Sequence, residues 1–183
     1  MVKGAIWINN CREFSVFDSI IDLKIRGVMM TIEDILGGES KNVEFKVKRP
    51  DKSISYMKSV VAFANGNGGT IVFGIDDKTR EVVGFDKEDV FREMDAIANA
   101  ISDSCEPAII PDITLQTIED KTVIVVEISE GRQRPYYIKA LGRDGGVYVR
   151  VAGTTRLADE YMVKELLFEG RSPLRASCRW GSL

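Results

Sequence analysis

Residues 39–84 read ESKNVEFKVKRPDKSISYMKSVVAFANGNGGTIVFGIDDKTREVVG. This run carries patterns for a strand, a helix, a glycine loop and a hairpin, and the rest of the chain adds to that unit. Apolar and charged residues alternate over 43–48, which predicts a strand with Glu44, Lys46 and Lys48 on its polar face. The apolar residues of 53–64 recur at helical spacing, which predicts a helix with one buried stripe. A strand followed by a helix is therefore the expected start of the unit.

The second half of the same stretch predicts a loop and a hairpin. Asn and Gly fill residues 65–69, and these residue types tolerate the positive φ that commonly ends a helix. Strands are expected over 70–75 and 81–85, joined by the polar turn 76–80. The loop has no Lys and enters a strand rather than a helix, so it is not a phosphate-binding P-loop, and nucleotide hydrolysis is not expected.

The remaining elements are additions to that unit. The pattern predicts helices over 31–36, 86–102 and 158–170, a hairpin of 113–118 with 122–128, and a further strand pair, 135–139 with 147–151, joined by a glycine-rich turn at 142–146. Residues 123–126 are uninterruptedly apolar, which is typical of a central strand buried on both faces. Because helices and strands mix without strict alternation, we expect an α+β fold with a mixed β-sheet and flanking helices.

Length and composition bound the class of protein. A chain of 183 residues has room for one domain with a real core, and we assign 1–29 to an N-terminal extension, 30–170 to the domain and 171–183 to a polar tail. No apolar run of membrane-spanning length and no signal-peptide pattern is present. The widely spaced Cys11, Cys105 and Cys178 lack metal-type spacing and indicate reduced thiols in a cytoplasmic protein. The chain has no histidine, which excludes His-based triads and His metal ligands.

The net charge of −3 is unevenly distributed. Residues 131–156 hold six bases and one acid, and residues 41–59 hold six bases and two acids. Tyr148 and Arg150 alternate away from the valine side of their strand, and an aromatic ring beside a cation suits phosphates and stacked bases. The alternative is an ordinary solvated face with Tyr148 packed at a strand edge. Residues 76–95 hold eight acids and four bases, so an acidic helix at 86–102 would be the surface of a protein–protein scaffold, a further alternative.

The chain resembles a known family. VEFK at 43–46, AFANGNGGTIVFGIDD at 62–77 and EVVG at 81–84 look like the Alba-like DNA-binding domain of the Schlafen group, once classed as a divergent AAA module. RPYYI at 134–138 and VYVRVAGTTRLA at 147–158 are similar to its closing motifs. The order and spacing match from about residue 31 to 170. The resemblance supports the fold more strongly than the function, because one fold hosts many functions.

The resemblance implies a domain that binds DNA or RNA, most plausibly in a bacterial-type transcription regulator. The candidate contacts, on the two basic segments, are Lys46, Lys48, Arg49, Arg134, Lys139, Arg143, Tyr148, Arg150 and Arg156. Schlafen cores carry two related lobes around a cleft, and this chain has one. We therefore expect a homodimer.

The resemblance also implies an alternative, a metal-dependent endoribonuclease. ESKNVEFK supplies Glu39 and Glu44, and GIDD supplies Asp77, at the positions of the catalytic carboxylates of Schlafen-type ribonucleases. Carboxylate oxygens are the ligands that Mg²⁺ or Mn²⁺ requires, and no other cofactor is expected. Against this hypothesis, Lys46 and Lys48 lie beside Glu44 on the same face of the strand. Asp77 also lies in a segment whose residue types are typical of a hairpin turn.

Overall fold

The computed structural model describes residues 42–170 with their side chains, together with the backbone of 23–25, 28–30 and 171. The chain divides into two units, Met1–Gly37 and Gly38–Leu183. In the first unit, β1 (Leu23–Ile25) and β2 (Val28–Met30) form an antiparallel hairpin. The helix expected over 31–36 lies outside the described residues, and the boundaries after residues 29 and 170 stay predictions.

The second unit carries the other helices and strands of the described chain. They are β3 (Val43–Lys46), α1 (Ile54–Asn65), β4 (Gly69–Phe73), α2 (Val90–Ser104), β5 (Cys105–Glu106), β6 (Asp112–Ile118), β7 (Lys121–Ile128), β8 (Tyr137–Ile138), α3 (Gly142–Gly146), β9 (Tyr148–Val151), β10 (Thr154–Leu157) and α4 (Glu160–Arg171). A short 3-10 turn, Lys139–Leu141, joins β8 to α3. The expected α+β architecture is confirmed.

Four strands form a mixed sheet in the order β3-β4-β7-β6. The β3–β4 pair is parallel because α1 crosses between the two strands, and the other pairs are antiparallel. The register places Glu44 opposite Ile71, and Ile71 opposite Val126. Directly opposed residues point to the same face of a sheet. Glu44 therefore points to the face that carries the apolar core residues Ile71 and Val126.

The core lies between that face and the helices α1 and α2. Its fully buried members include Met57 and Val60 of α1, Ile97 of α2, and Phe73 of β4. The strand β7 is buried over residues 123–126, as its uninterrupted apolar run predicts. Tyr56 packs edge-on against Phe73, with ring centroids 5.6 Å apart.

The glycine loop ends α1 as expected. The N–H of Gly66 donates to the carbonyls of Ala62 and Phe63, and the N–H of Gly68 donates to Phe63 at 3.0 Å. Gly68 has φ +82°, and a Cβ there would lie 2.7 Å from the carbonyl oxygen of Ile128. Only glycine fits this close approach of the loop to β7. Ser53 precedes the helix, but its side chain makes no capping hydrogen bond.

Four local expectations are wrong. Residues 81–85 form no strand; they make only single bridges, Ile75 with Val82 and Phe85 with Thr122. Residues 135–139 and 147–151 do not pair with each other, because β8 pairs with β5 and β9 pairs with β10. The glycine-rich segment between them forms the short helix α3 instead of a hairpin turn. The helix expected from residue 86 begins at Val90, after a backbone turn in which Asp86 accepts two N–H groups.

Candidate nucleic-acid interface and carboxylate positions

The hairpin β9–β10 packs against α1, and this contact decides which of the candidate cations are exposed. Tyr148 and Arg150 lie on one side of β9, as the alternation predicts, but this side faces α1: Arg150 lies over the Phe63 ring, 4.8 Å from its centroid. The side chain of Arg150 is only 7% exposed. The expectation of an exposed face bearing Arg150 is corrected, because the sequence does not show which face of β9 the helix covers.

Arg150 is held by hydrogen-bond acceptors from two elements. Its Nη1 donates to Glu44 Oε2 at 3.0 Å and to Thr155 Oγ1 at 3.2 Å, and its Nη2 donates to the Val43 carbonyl at 3.3 Å. Thr155 is the cross-strand neighbour of Arg150 on β10, and its hydroxyl lies 3.4 Å from that of Ser59 on α1. These contacts tie the hairpin to the beginning of β3.

Glu44 is a buried carboxylate that lies between two cations. Its Oε1 is 2.9 Å from Lys46 Nζ, and its Oε2 is the acceptor for Arg150. Burial alone would raise the pKa of Glu44. Hydrogen bonds from Ser59 and Lys46, with the charges of Lys46 and Arg150, outweigh burial and lower that pKa below its ordinary value.

Arg134 is buried at the C-terminal end of α1. Its guanidinium donates to the carbonyls of Ala64 and Gly66 and forms ion pairs with Glu130 at 3.0 Å and Glu169 at 2.6 Å. No basic residue of α1 lies in its own last turn, so Arg134 supplies the cation that favours a helix C-terminus. Its exposed fraction of 6% excludes a solvent-facing guanidinium here, contrary to expectation.

Asn65 is a structural residue that the sequence reasoning missed. Its amide nitrogen donates to the carbonyls of Tyr136 and Tyr148, both at 2.9 Å, and its amide oxygen accepts the Tyr136 N–H at 2.7 Å. The side chain thus joins the end of α1 to the segments before β8 and within β9. Its place in the Asn-Gly loop suggested only a turn, and no sequence signal identifies partners about 70–80 residues away.

The other candidate cations divide into paired and exposed groups. Lys46 pairs with Glu44, and Arg49 pairs with Glu93 at 2.9 Å. Arg49 and Glu93 lie in a cleft of about 410 Å³ that acidic and basic side chains line together. The exposed cations without an ion pair in residues 42–170 include Lys48, Lys139, Arg143 and Arg156.

Lys58 is a functional candidate that belongs to the six bases of residues 41–59 but was not predicted as a nucleic-acid contact. Its ammonium lies 5.4 Å from the centroid of the Tyr148 ring. Both side chains are half-buried, so the pair reaches the surface where β9 meets α1. Ile54, one helical turn before Lys58, was expected in the buried stripe of the helix but is exposed, so no sequence signal identified Lys58 as an outward position.

Two of the three carboxylates proposed for a metal, Glu44 and Asp77, lie in the described residues, in different surroundings. Asp77 is exposed in the turn after β4, where the neighbouring Asp76 accepts the N–H groups of Lys78 and Thr79, both at 2.8 Å. Within residues 42–170, no group of three His, Cys, Asp or Glu side chains could hold a metal ion. Glu39 lies outside the described residues. Both oxygens of Glu44 are engaged by cations, so the donor set present does not fit Mg²⁺ or Mn²⁺.

Two solved structures resemble the chain. The DIP2311 protein from Corynebacterium diphtheriae is 18% identical and has a TM-score of 0.50, over 78% of this chain and 29% of its own length. The likeness shows a common fold, and this chain spans less than a third of that protein. The N-terminal domain of a RecG-related protein from Nitrosomonas europaea is 25% identical, with a TM-score of 0.46, over 68% of this chain and 87% of that domain.

In the described residues no helix has both the length and the apolar character that crossing a membrane needs.

The family comparison covers most of the chain. The Schlafen, AlbA_2 family, whose domains are nucleic-acid-related, matches residues 39–159. This range contains the sheet, α1, the Glu44–Arg150 pair and the β9–β10 hairpin. The chain therefore belongs to the Schlafen AlbA_2 family.

Proposed function

We propose that this domain binds nucleic acid at the surface where α1 meets the β9–β10 hairpin. The observation that carries the proposal is the Lys58 ammonium over the half-exposed Tyr148 ring, at 5.4 Å. A cation beside an aromatic ring provides one group for a phosphate and one face for a stacked base. The same hairpin carries the exposed Arg156, which lies opposite Val149 and therefore on the face turned away from Tyr148 and α1.

Residues 139–156 carry three further exposed cations. Lys139 follows β8, Arg143 lies in α3, and Arg156 lies in β10, and all three are exposed. They are not compensated locally, since Asp144 is the only acid of this segment. Long flexible cations of this kind bind phosphates rather than base edges, so the proposed binding depends only weakly on sequence.

A salt titration tests the proposal. Anisotropy of a labelled single strand and a labelled duplex is measured between about 50 and 200 mM salt, where each phosphate contact contributes a slope near −0.7 to −0.9. Lys58→Glu and Arg143→Glu should weaken binding on every sequence and reduce the slope by about 1 each. Lys87→Glu is the matched control, because Lys87 is an exposed cation in the acidic segment 76–95. Equal weakening by all three variants would reduce the effect to net charge and contradict the proposed surface.

The finer role that we propose is transcription regulation in the cytoplasm, and the support for it is the family resemblance together with a free, buried thiol at Cys105. A regulator that acts alone must prefer its site over random DNA by a factor of about 10³ or more. Selection of bound duplexes from a random library checks this role. If the selected duplexes share no common motif, the protein binds nucleic acid without sequence preference, and the proposed role as an autonomous regulator is wrong.

A further inference from the structure

Glu44 occupies a family position to which the resemblance assigns metal-dependent cleavage, and its surroundings indicate a different task. We infer that Glu44 is the anion that fastens the β9–β10 hairpin to the sheet through Arg150, and that it is not a divalent-metal ligand in this chain. The inference does not depend on the proposed nucleic-acid surface, since it concerns a contact inside the domain.

Both carboxylate oxygens already have cationic partners. Oε1 lies 2.9 Å from Lys46 Nζ, and Oε2 lies 3.0 Å from Arg150 Nη1. The exposed fractions of the Glu44 and Arg150 side chains are 10% and 7%, so water screens this pair poorly. A charge-assisted hydrogen bond in such a site is among the stronger polar contacts of a protein.

The partner guanidinium is fixed by neighbours from three elements. It stacks over Phe63 of α1, donates to Thr155 of β10 and donates to the Val43 carbonyl of β3. Arg150 therefore joins the hairpin to both α1 and the sheet, and Glu44 neutralises the buried charge that this joint introduces.

A metal ion at Glu44 would either displace one of the two cations or lie beside both of them. Displacing Arg150 would leave a buried guanidinium without its counter-charge, and keeping it would place a divalent cation beside two positive groups. Asp77 offers no compensation, because it is exposed in the turn beyond β4 while Glu44 pairs with Ile71 within the sheet.

A double-mutant cycle tests the fastening. Glu44→Gln keeps the shape and removes the charge, and Arg150→Met keeps much of the apolar stem. Each single variant should melt roughly 10 °C lower, and the double variant should melt well above the temperature that adding both shifts predicts. Glu160→Gln, which removes an exposed carboxylate paired with Lys164, is the control and should melt like the parent.

Hydrogen exchange locates the effect. In Glu44→Gln, the amides of β9 and β10 should exchange faster relative to those of β6 and β7. Additive melting shifts, or a loss of protection spread evenly over all strands, would overturn the fastening role.

The metal half is tested on the unaltered protein, so it stays testable if the variants do not fold. Mn²⁺ is titrated into the ¹⁵N-labelled parent, and paramagnetic broadening of the amide signals is mapped. We expect no selective broadening in 43–46 and 148–151. Selective, saturable broadening of these signals, competed by Mg²⁺, would overturn the inference and restore Glu44 as a ligand.

Discussion

Arg134 shows how one residue can decide the state of a helix end. It donates to two carbonyls at the end of α1 and pairs with Glu130 and Glu169, while its own side chain is buried. Arg134→Met should lower the free energy of unfolding by about 2–4 kcal/mol, because the last carbonyls of α1 and the two carboxylates lose their charged donor. Urea denaturation measures the change.

The matched control for Arg134 lies two residues earlier. Arg132 is exposed and has no ion pair in the described residues, so Arg132→Met should change the stability by about 0.5 kcal/mol or less. If the two variants were equally stable, the contacts of Arg134 would be stabilising nothing, and its interpretation as a helix-end cation would be wrong.

The buried thiol of Cys105 makes a contribution to stability that depends on pH. The thiol is fully buried, and burial raises its pKa from 9.0 to about 12. The unfolded thiol ionises first as pH rises, so Cys105 contributes stability below pH 9, which is lost between pH 9 and about 12. In a Cys11→Ser, Cys178→Ser variant, Cys105 should stay unreactive to a thiol reagent at pH 8 and react fully in denaturant. Rapid reaction in the native state would show that the thiol is accessible.

At this scale the sequence predicts residue type and alternation but not the direction of burial. Tyr148 and Arg150 do share a face, as predicted, yet that face meets α1 instead of solvent. The alternation of a short strand is the same whether its polar side is wet or covered, and an arginine satisfied by Glu44 and Val43 is covered at little cost. Asn65 is a similar case, because its partners are far away in sequence.

Among the elements, the β6–β7 hairpin was predicted nearly to the residue. The two turn residues, Glu119 and Asp120, have φ values of +50° and +61°, the left-handed region that glycine and asparagine tolerate best. Replacing them with Asn-Gly should therefore raise the melting temperature by roughly 2–4 °C, equivalent to about 1 kcal/mol. Ala-Ala at the same positions is the control and should lower it. Equal melting of both variants would contradict the strained-turn argument.

The short pairings could not be predicted in the same way. The β5–β8 ladder joins two residues with two, about 30 positions apart, and neither segment has a period long enough to detect. The segment 142–146 was assigned to a turn because of its three glycines, but it continues the preceding 3-10 turn as a short helix. The glycines of 142–146 permit several backbone conformations, and the positions of the neighbouring strands select one of them.

At the scale of the whole molecule, the fold was predictable because β3, α1, β4 and the β6–β7 hairpin each have a strong local pattern. The surface was less predictable, since pairing removes some of the cations that a charge count includes. Arg134 and Arg150 are neutralised inside the domain, and Lys46 and Arg49 are paired. The net charge of −3 thus describes the solubility of the chain better than its binding surface.

The outer edge of the sheet at β6 favours assembly of two copies of the chain. β6 is an outer strand of the sheet, with no strand beside its outer edge in the described residues, and such an edge is a template for pairing with a second copy. We expect a homodimer, because antiparallel β6–β6 pairing around a two-fold axis would satisfy both edges at once. Light scattering at micromolar concentration should give twice the 20.4 kDa chain mass.

Lysine substitutions on the edge test that geometry. Thr114 and Thr117 are exposed on β6, and Thr114→Lys, Thr117→Lys should shift the mass to that of a monomer by placing like charges across the two-fold axis. Thr154→Lys on β10 is the control for an exposed strand threonine and should leave the dimer intact. A monomeric parent would contradict the dimer itself. A dimer that survives both edge lysines would place the contact elsewhere, because a paired edge cannot accommodate four uncompensated ammonium groups without weakening.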